Sequence, residues 1–415
     1  ENNAQNKNYL VLGKWCLNSD IEKKINIKNN IILNYHWDDR KKFERDYLYL
    51  NKLNISATEF LTKNLNKIHN VNFSNKYWYK ILGYWLTHFV SAFFDRYQML
   101  KNAQAYSNDL KLETFENFET KYLAANDTTA FIQAIQSDSF NLALFTEISK
   151  YLDNINIIYN IKTDYFIKDS QKNFKYKSKI INYLYKFFPK NLKKIIISKA
   201  QISILHSFQL SLLTKNIFLP IYFPHFEKNI KFNETIRDWS LEDLKVQNEF
   251  EKIFYKSLPK CLPRIFLEGY IEANKMKNNF EKNINLNPNP SLIFTCNAHL
   301  RDELFKLWMA EKCENGSKFI SYQHGCGCKG KLDQVEIFEN CISEIRLKPS
   351  IKDELNDKKN LNVGRYNFRL KIRNQFVKKP KILIALFDTP RYSNFLIDRH
   401  VSSQFLYYLE DQKNF

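Results

Sequence analysis

Residues 291–330 read SLIFTCNAHLRDELFKLWMAEKCENGSKFISYQHGCGCKG, and the fold class follows from their pattern. Ser291–Cys296 is a short apolar run that predicts a strand, ended by Asn297, a residue suited to capping a helix. From Leu300 onward, Leu304, Leu307, Trp308 and Ala310 recur at helical spacing, with Arg301, Asp302, Lys306 and Glu311 on the other side. Asn315-Gly316 stops that helix, because both residues tolerate the left-handed conformation. Phe319–Tyr322 begins a second strand, and Gln323-His324-Gly325-Cys326-Gly327 follows at its end. Strand, helix and strand in this order predict an α/β fold with parallel strands. Open α/β sheets bind ligands outside the carboxyl ends of their strands. The turn at Asn297 and the loop 323–330 are therefore the expected site.

Composition sets the outer limits. The 415 residues suffice for two or three domains, and 44% hydrophobic content is that of an ordinary globular chain. A net charge of +19 favours anionic partners. The lysines are scattered rather than gathered into a nucleic-acid module, so no nucleic-acid partner is expected. Seven cysteines, an odd number without regular spacing, point to a reducing compartment rather than a disulfide framework. No signal peptide is visible, and the apolar run 81–94 is too short to span a bilayer. The expectation is a cytoplasmic protein with peripheral contact at the inner membrane.

On the N-terminal side, residues 9–17 and 31–35 predict two strands. His36-Trp37-Asp38-Asp39-Arg40 then opens a helix to about residue 53, where Asp38 or Asp39 suits the positive end of the helix dipole. Helices follow over 57–69, 76–103 and within 130–152. The second carries a stripe of Trp78, Leu82, Trp85, Phe89 and Phe93, with an Asp95-Arg96 pair in it. Residues 160–194 are basic and aromatic, predicting a solvated insertion or a membrane-facing surface. Strand character recurs over 195–206 and 216–223, a helix is expected at 241–257, and Glu268-Gly269 precedes another to about residue 279. Residues 336–345 suggest a strand, 348–379 a linker or surface insertion, and 381–387 a buried strand followed by a helix from about 395 to 412.

The chemistry-bearing residues are few. His324 between Gln323 and Gly325 combines an acid or base near neutrality, an amide, and close backbone approach. This set suits phosphate or sugar hydroxyls. His324, Cys326 and Cys328 lack the paired spacing of a zinc site, and no metal is expected. Phosphate-loop, dinucleotide and serine-hydrolase signatures are absent, as is an Asp-x-Asp pair for a metal-held nucleotide diphosphate.

Several stretches together resemble one family, the bacterial transferases of surface-carbohydrate (lipopolysaccharide O-antigen) biosynthesis. They are YLVLGKWC, YHWDDRKKFERDYLYL, YWYKILGYWLTHFVSAFFDRY, LPRIFLEGY, the unit 293–325, and TPRYSNFL with YLEDQKNF, in order along the chain. The resemblance implies two Rossmann-like domains of glycosyltransferase-B type: an α/β domain with a helical portion over 1–347, the linker, and a second domain begun at 380–415 and left incomplete. It implies transfer of a sugar from a nucleotide-activated donor to a surface polysaccharide or lipid-linked O-antigen precursor, with no cofactor beyond the nucleotide sugar. The motifs it matches are Gln323-His324-Gly325, His36–Arg40 and Glu268-Gly269; together with the turn at Asn297 they make His324, Asp38, Asp39 and Glu268 the expected catalytic residues and Gln323, Gly325, Asn297, His36 and Arg40 the expected binding residues. This chain departs from the family in the Cys326, Cys328 and Lys329 that interrupt the run after Gln-His-Gly. The alternative expectation is a non-catalytic glycan- or anionic-lipid-binding protein of the same pathway.

Overall fold

The longest helical patterns in the sequence become the two longest helices, and the rest of the chain is arranged around the second. The computed structural model describes residues 8–16, 30–162, 176–200, 202–226, 229–242, 244–323, 334–348, 360–363, 392 and 403–414. In order these form β1 (Leu10–Val11), β2 (Ile31–Ile32), α1 (Arg40–His69), α2 (Asn75–Tyr106), β3 (Leu110–Phe115), α3 (Thr128–Ala134), α4 (Asp138–Ser149) and β4 (Ile155–Ile161). Then come α5 (Tyr176–Lys186), β5 (Ile195–Ser198), α6 (Ile204–Thr214), α7 (Glu249–Cys261), α8 (Tyr270–Asn283) and β6 (Leu292–Thr295). The chain continues through α9 (Ala298–Arg301), α10 (Glu303–Glu314), β7 (Lys318–Tyr322), α11 (Gln334–Ile342), β8 (Ile345–Lys348), β9 (Asn360–Asn362) and α12 (Ser403–Asn414).

All the strand pairings described are parallel, and the fold is mixed α/β. Two pairs, β1-β2 and β3-β4, stand apart from a five-stranded sheet ordered β5-β6-β7-β8-β9. Its strands advance in sequence order, so parallel pairing requires a crossover after each one, and helices occupy the crossovers from β5 to β8. Helices α10 and α11 lie on α2, which also packs on α1 and α4. Helix α2 is thus enclosed from several sides. Trp78, Leu82, Trp85, Phe89 and Phe93 of its stripe are almost wholly buried, and so are His88, Asp95 and Arg96. Gly83 makes the contact with α11 close, since a Cβ there would lie 2.7 Å from the Phe338 ring.

The unit at 291–323 forms as expected, with one change. Asn297 makes no capping bond; Asp302 does, its side chain accepting from the Phe305 N–H, and the main helix starts there after the single turn of α9. At the other end Gly316 takes φ +99, and the Gly316 and Ser317 N–H groups bond the Cys313 and Lys312 carbonyls in the manner of a left-handed helix stop.

Other expectations are corrected. The helices expected at 36–53 and 57–69 are one, α1, because no breaker separates them and the buried face runs on through Leu50, Leu53, Ala57 and Leu61. The strand character of 195–206 stops at Ser198, and Ser203 caps a helix by accepting from the His206 N–H. Residues 216–223 contribute a single bridge, Pro220 to Ile197, rather than a strand. The helix expected from 241 starts at Glu249, where the Asn248 side chain caps it by accepting from the Glu251 N–H. Residues 336–345 are mostly helical: Phe338 and Ile342, four apart, are the buried apolar pair, which fits a helical period and not the alternation of a strand. Within the stretch expected to be a linker, β9 pairs with β8 and extends the sheet. The strand expected at 381–387 lies outside the described residues. Among the described residues, no helix is long and apolar enough to cross a membrane.

Candidate active site

The sheet register sets the first wall of the site. Ser198, Thr295 and Ser321 are level across β5, β6 and β7, so Asn297 and Gln323 each follow two residues beyond on neighbouring strands, with Lys199 beside them. All three stand at the carboxyl rim. The Thr295 hydroxyl accepts from the Asn297 and Ala298 N–H groups at 3.3 and 3.0 Å, turning the chain there. Asn297 Oδ1 is buried and has no hydrogen-bond partner among the described residues. Gln323 is buried, its N–H donating to the Leu347 carbonyl at 2.9 Å, while Lys199 reaches Asp302 at 2.6 Å. His324 and Gly325, the next residues along, lie outside the described residues.

The second wall comes from the turn after β2. His36 enters the core and its Nε2 donates to Asp95 Oδ1 at 2.9 Å. The same oxygen accepts from the Tyr35 hydroxyl at 2.5 Å, and Oδ2 accepts from Arg96 Nη1 at 2.8 Å. Arg96 Nε in turn donates to Asn141 Oδ1 at 2.8 Å, and the Tyr392 ring lies 5.4 Å from the guanidinium. Burial alone would raise the Asp95 carboxyl, but the His36 bond, the Arg96 charge and the Tyr35 bond outweigh it and hold Asp95 below the usual carboxylate range. The group is an anion fixed by three donors. His36 Nδ1 faces no partner among the described residues.

The neighbouring residues divide the work. Asp39 is exposed and caps α1, accepting from the Lys41 and Lys42 N–H groups at 2.9 and 3.1 Å; the Lys42 bond is the chief reason its carboxyl is lowered. Asp38, also exposed, accepts from the Ser403 hydroxyl of α12. Arg40 lies over the Phe43 ring at 4.4 Å. Trp37 donates to Asp46 at 2.9 Å and stacks on Phe94, which anchors the turn.

Helix α2 joins the two walls. Ser91 accepts from the Gln334 amide at 3.3 Å. Gln334 opens α11 and ends the segment that leaves the sheet at Gln323. Ser91 and Asp95 are one turn apart, about 6 Å along the helix. The Gln323–Gln334 connection therefore lands one helical turn from the carboxylate that holds His36. Residues 35–36 and Gln334, far apart in sequence, thus meet the middle of α2 within one turn of each other.

A model of the LIC12162 family transferases matches residues 1–415. The chain belongs to this transferase family. Comparison with curated proteins and with solved structures gives no match.

In this transferase His36, Asp38, Asp39 and Arg40 share the turn that leads into α1, and Asn297 and Gln323 share the carboxyl rim of the sheet. Glu268 is not among them. Its carboxylate is held in a fork by Arg237, with Nε to Oε1 at 2.7 Å and Nη2 to Oε2 at 2.6 Å, and Arg237 Nη1 also binds the Pro259 and Leu262 carbonyls. Two residues earlier, the Phe266 carbonyl bonds His69, the last residue of α1, whereas Asp39 caps the first. The 30 residues of α1 span about 45 Å, so Glu268 and Asp39 stand at opposite ends of it.

Sequence reasoning misses two contributors. Asp95 and Arg96 read as an internal ion pair, and the ion pair exists, but nothing local points to its further partners Tyr35, His36 and Asn141. His299 carries no motif signal; it is wholly buried and bonds Glu339 Oε1 at 3.0 Å. Arg346 of β8 holds Glu339 and Glu336 at 2.7 and 2.8 Å, and Lys348 also bonds Glu336. These pairs clamp α11 to the sheet and so fix the landing point of the 323–334 segment. The available signal is charge inside an otherwise apolar pattern: Glu336 and Glu339 in a helix, Arg346 and Lys348 in a strand.

A groove of about 470 Å³ runs beside Gln334, between α1, α2 and α11. Its walls are Leu48, Ile55, Tyr79 and Ile337, and Asn54 and Thr87 are among its polar lining residues. Among the described residues no group of three or more His, Cys, Asp or Glu is arranged to hold a metal ion.

Proposed function

We propose that this transferase moves a sugar from a nucleotide-activated donor to the precursor of a surface polysaccharide or lipopolysaccharide O-antigen, and that it is built as a glycosyltransferase of the B type. In this reading residues 1–347 are the acceptor-side domain and the chain from 380 begins its Rossmann-like partner. What carries the reading is that Gln334 contacts α2 at Ser91, one turn from the Asp95 that holds His36, while Gln323, where the same connection leaves the sheet, stands at the carboxyl rim. Transfer to a hydroxyl needs a base, donors for the sugar hydroxyls, and positive charge for the departing phosphate.

Asp95 fixes the Nε2–H tautomer of His36 and leaves the Nδ1 lone pair to take the acceptor proton, as an oriented imidazole does elsewhere. Asn297 Oδ1 accepts from a sugar hydroxyl, which gives this buried oxygen a partner. Gln323, His324 and Gly325 meet the donor, with His324 donating to the phosphate that leaves. Arg40 adds positive charge at the mouth, and Asp38 and Asp39 hold the 36–40 turn in place for the acceptor. No cofactor other than the donor itself enters this scheme.

The test is a calorimetric panel of nucleotides and nucleotide sugars on the full chain, followed by a product assay with a lipid-linked glycan acceptor. Binding of at least one nucleotide sugar is expected; a panel without any binding refutes the reading. His324→Ala is expected to lower turnover on the order of a hundredfold or more, with the melting temperature unchanged. Equal turnover removes the 323–325 segment from the mechanism.

A further inference from the structure

From Ser170 to Phe226 the sequence contains ten lysines and no Asp, Glu or Arg. The same stretch carries the largest concentration of exposed apolar side chains among the described residues. On α6, Leu205, Leu212 and Leu213 are 77–81% exposed, with Ile204 and Phe208 beside them, and the only residue of this helix that is buried is Ser207. On α5 and just after it, Ile180, Tyr183, Leu184 and Phe187 are likewise exposed.

The two helices are tied to one short segment at the edge of the sheet. Asn182 of α5 exchanges bonds of 2.7 and 3.2 Å with the Tyr222 backbone, and Ser211 of α6 accepts from the Phe218 N–H at 2.9 Å. Only three residues, 219–221, separate those anchors. Between them Pro220 bridges to Ile197 of β5. Lys179, Lys186, Lys190, Lys194 and Lys215 are exposed around the helices, and none of them forms an ion pair among the described residues.

We infer that α5 and α6 form a docking surface for an anionic lipid bilayer. A helix as apolar as α6 is normally covered, and an uncovered apolar face ringed by one sign of charge matches the interface of an anionic membrane: leucines enter the acyl boundary while lysines stay at the headgroups. Uniform positive charge argues against pairing of two copies through this face, since it would bring lysines against lysines. The surface also begins at the carboxyl rim, because α6 starts five residues after Lys199. A lipid-anchored acceptor held at that membrane would meet the candidate active site. The inference stands without the sugar reading, as vesicle binding needs no donor.

The test is co-sedimentation of the full chain with vesicles of phosphatidylcholine alone or containing a third phosphatidylglycerol. Binding is expected only to the anionic vesicles and is expected to fall steeply as salt rises. Lys186→Glu/Lys190→Glu/Lys194→Glu is expected to weaken it on the order of a hundredfold, and Leu212→Glu/Leu213→Glu at least about tenfold. Leu212→Trp, a milder change, adds a reporter at the face; its emission, taken as the difference from wild type, is expected to shift to the blue on adding anionic vesicles. Equal binding to neutral vesicles, no binding to anionic ones, or an unmoved difference spectrum overturns the inference. So does a dimer in sedimentation velocity that the double leucine variant dissolves, which would make the face a contact between copies.

Discussion

Replacing Asp95 by Asn tests the buried group on which the candidate site rests. The wild-type carboxylate accepts from Tyr35, His36 and Arg96, and all three donor side chains are buried, Arg96 completely. The amide would keep the volume but lose the charge, and one of its two polar ends would present N–H groups to donors. A hydrogen bond to a charged group contributes about 1.5–3 kcal/mol, and stranding a buried charge such as Arg96 costs about 3–5 kcal/mol. These overlap, so the expected loss is about 4 kcal/mol at pH 7 rather than their sum. The assay is urea unfolding followed by tryptophan fluorescence, with Trp37 adjoining the group. The pH dependence supplies a second reading. Because the folded carboxyl titrates below its ordinary value of 3.8, its contribution is complete above that value and is lost as pH falls through the lower folded one. Wild type and variant should therefore converge in acid, with the gap widest at neutral pH. A gap under about 1 kcal/mol at pH 7, or one that does not shrink below about pH 4, refutes the argument that Asp95 is a held anion.

Three further outcomes follow from the same structure. Gly83→Ala places a methyl against the buried Phe338 ring, and is expected to cost about 1–3 kcal/mol in urea unfolding; turnover should fall as well, because α11 carries the landing point of the 323–334 segment. Glu268→Gln is expected to lose about 2–4 kcal/mol of stability by breaking the Arg237 fork, while ligand binding measured below the melting range stays unchanged; a large loss of turnover in folded protein would restore Glu268 as a candidate base. Burial, with Lys190 nearby, pushes Lys193 down to about 8 from 10.5. The unfolded chain then holds more protons than the folded one between those values, so stability contributed by this group rises with pH across that window. Lys193→Met should flatten that rise in pH-dependent urea midpoints.

Much of the fold is legible where the pattern is local. The β6–α10–β7 unit, the apolar stripe of α2 and the Asp39 cap can each be read from residues within a few turns of one another. Reading fails where a short apolar run has to be assigned without knowing its surroundings. Residues 195–206 and 336–345 each carry enough β-branched and apolar side chains to suggest a strand throughout. Yet Ser203 starts a helix in one, and burial at Phe338 and Ile342 selects a helix in the other. Of the candidate site, the motifs mark the His36–Arg40 turn and the Gln323 segment, but they cannot tell that Glu268 lies at the far end of α1.

Sequence alone dictates which residues can be buried, the course of α2 and of the β6–α10–β7 unit, and that the chain is strongly positive with one long stretch lacking acids. These follow from side-chain period, backbone freedom and composition, all of which act over a few residues. Folding in three dimensions was needed to bring Asp95 to His36 across 59 residues, Gln334 to Ser91 across 243, and Glu268 to Arg237 across 31. A buried charge must find its partner wherever packing places one, and the packing of α2 against helices drawn from across the chain is a property of the whole sequence at once. The same holds for α6: its leucines are plain in the sequence, and the folded chain is what leaves them facing outward beside a ring of lysines.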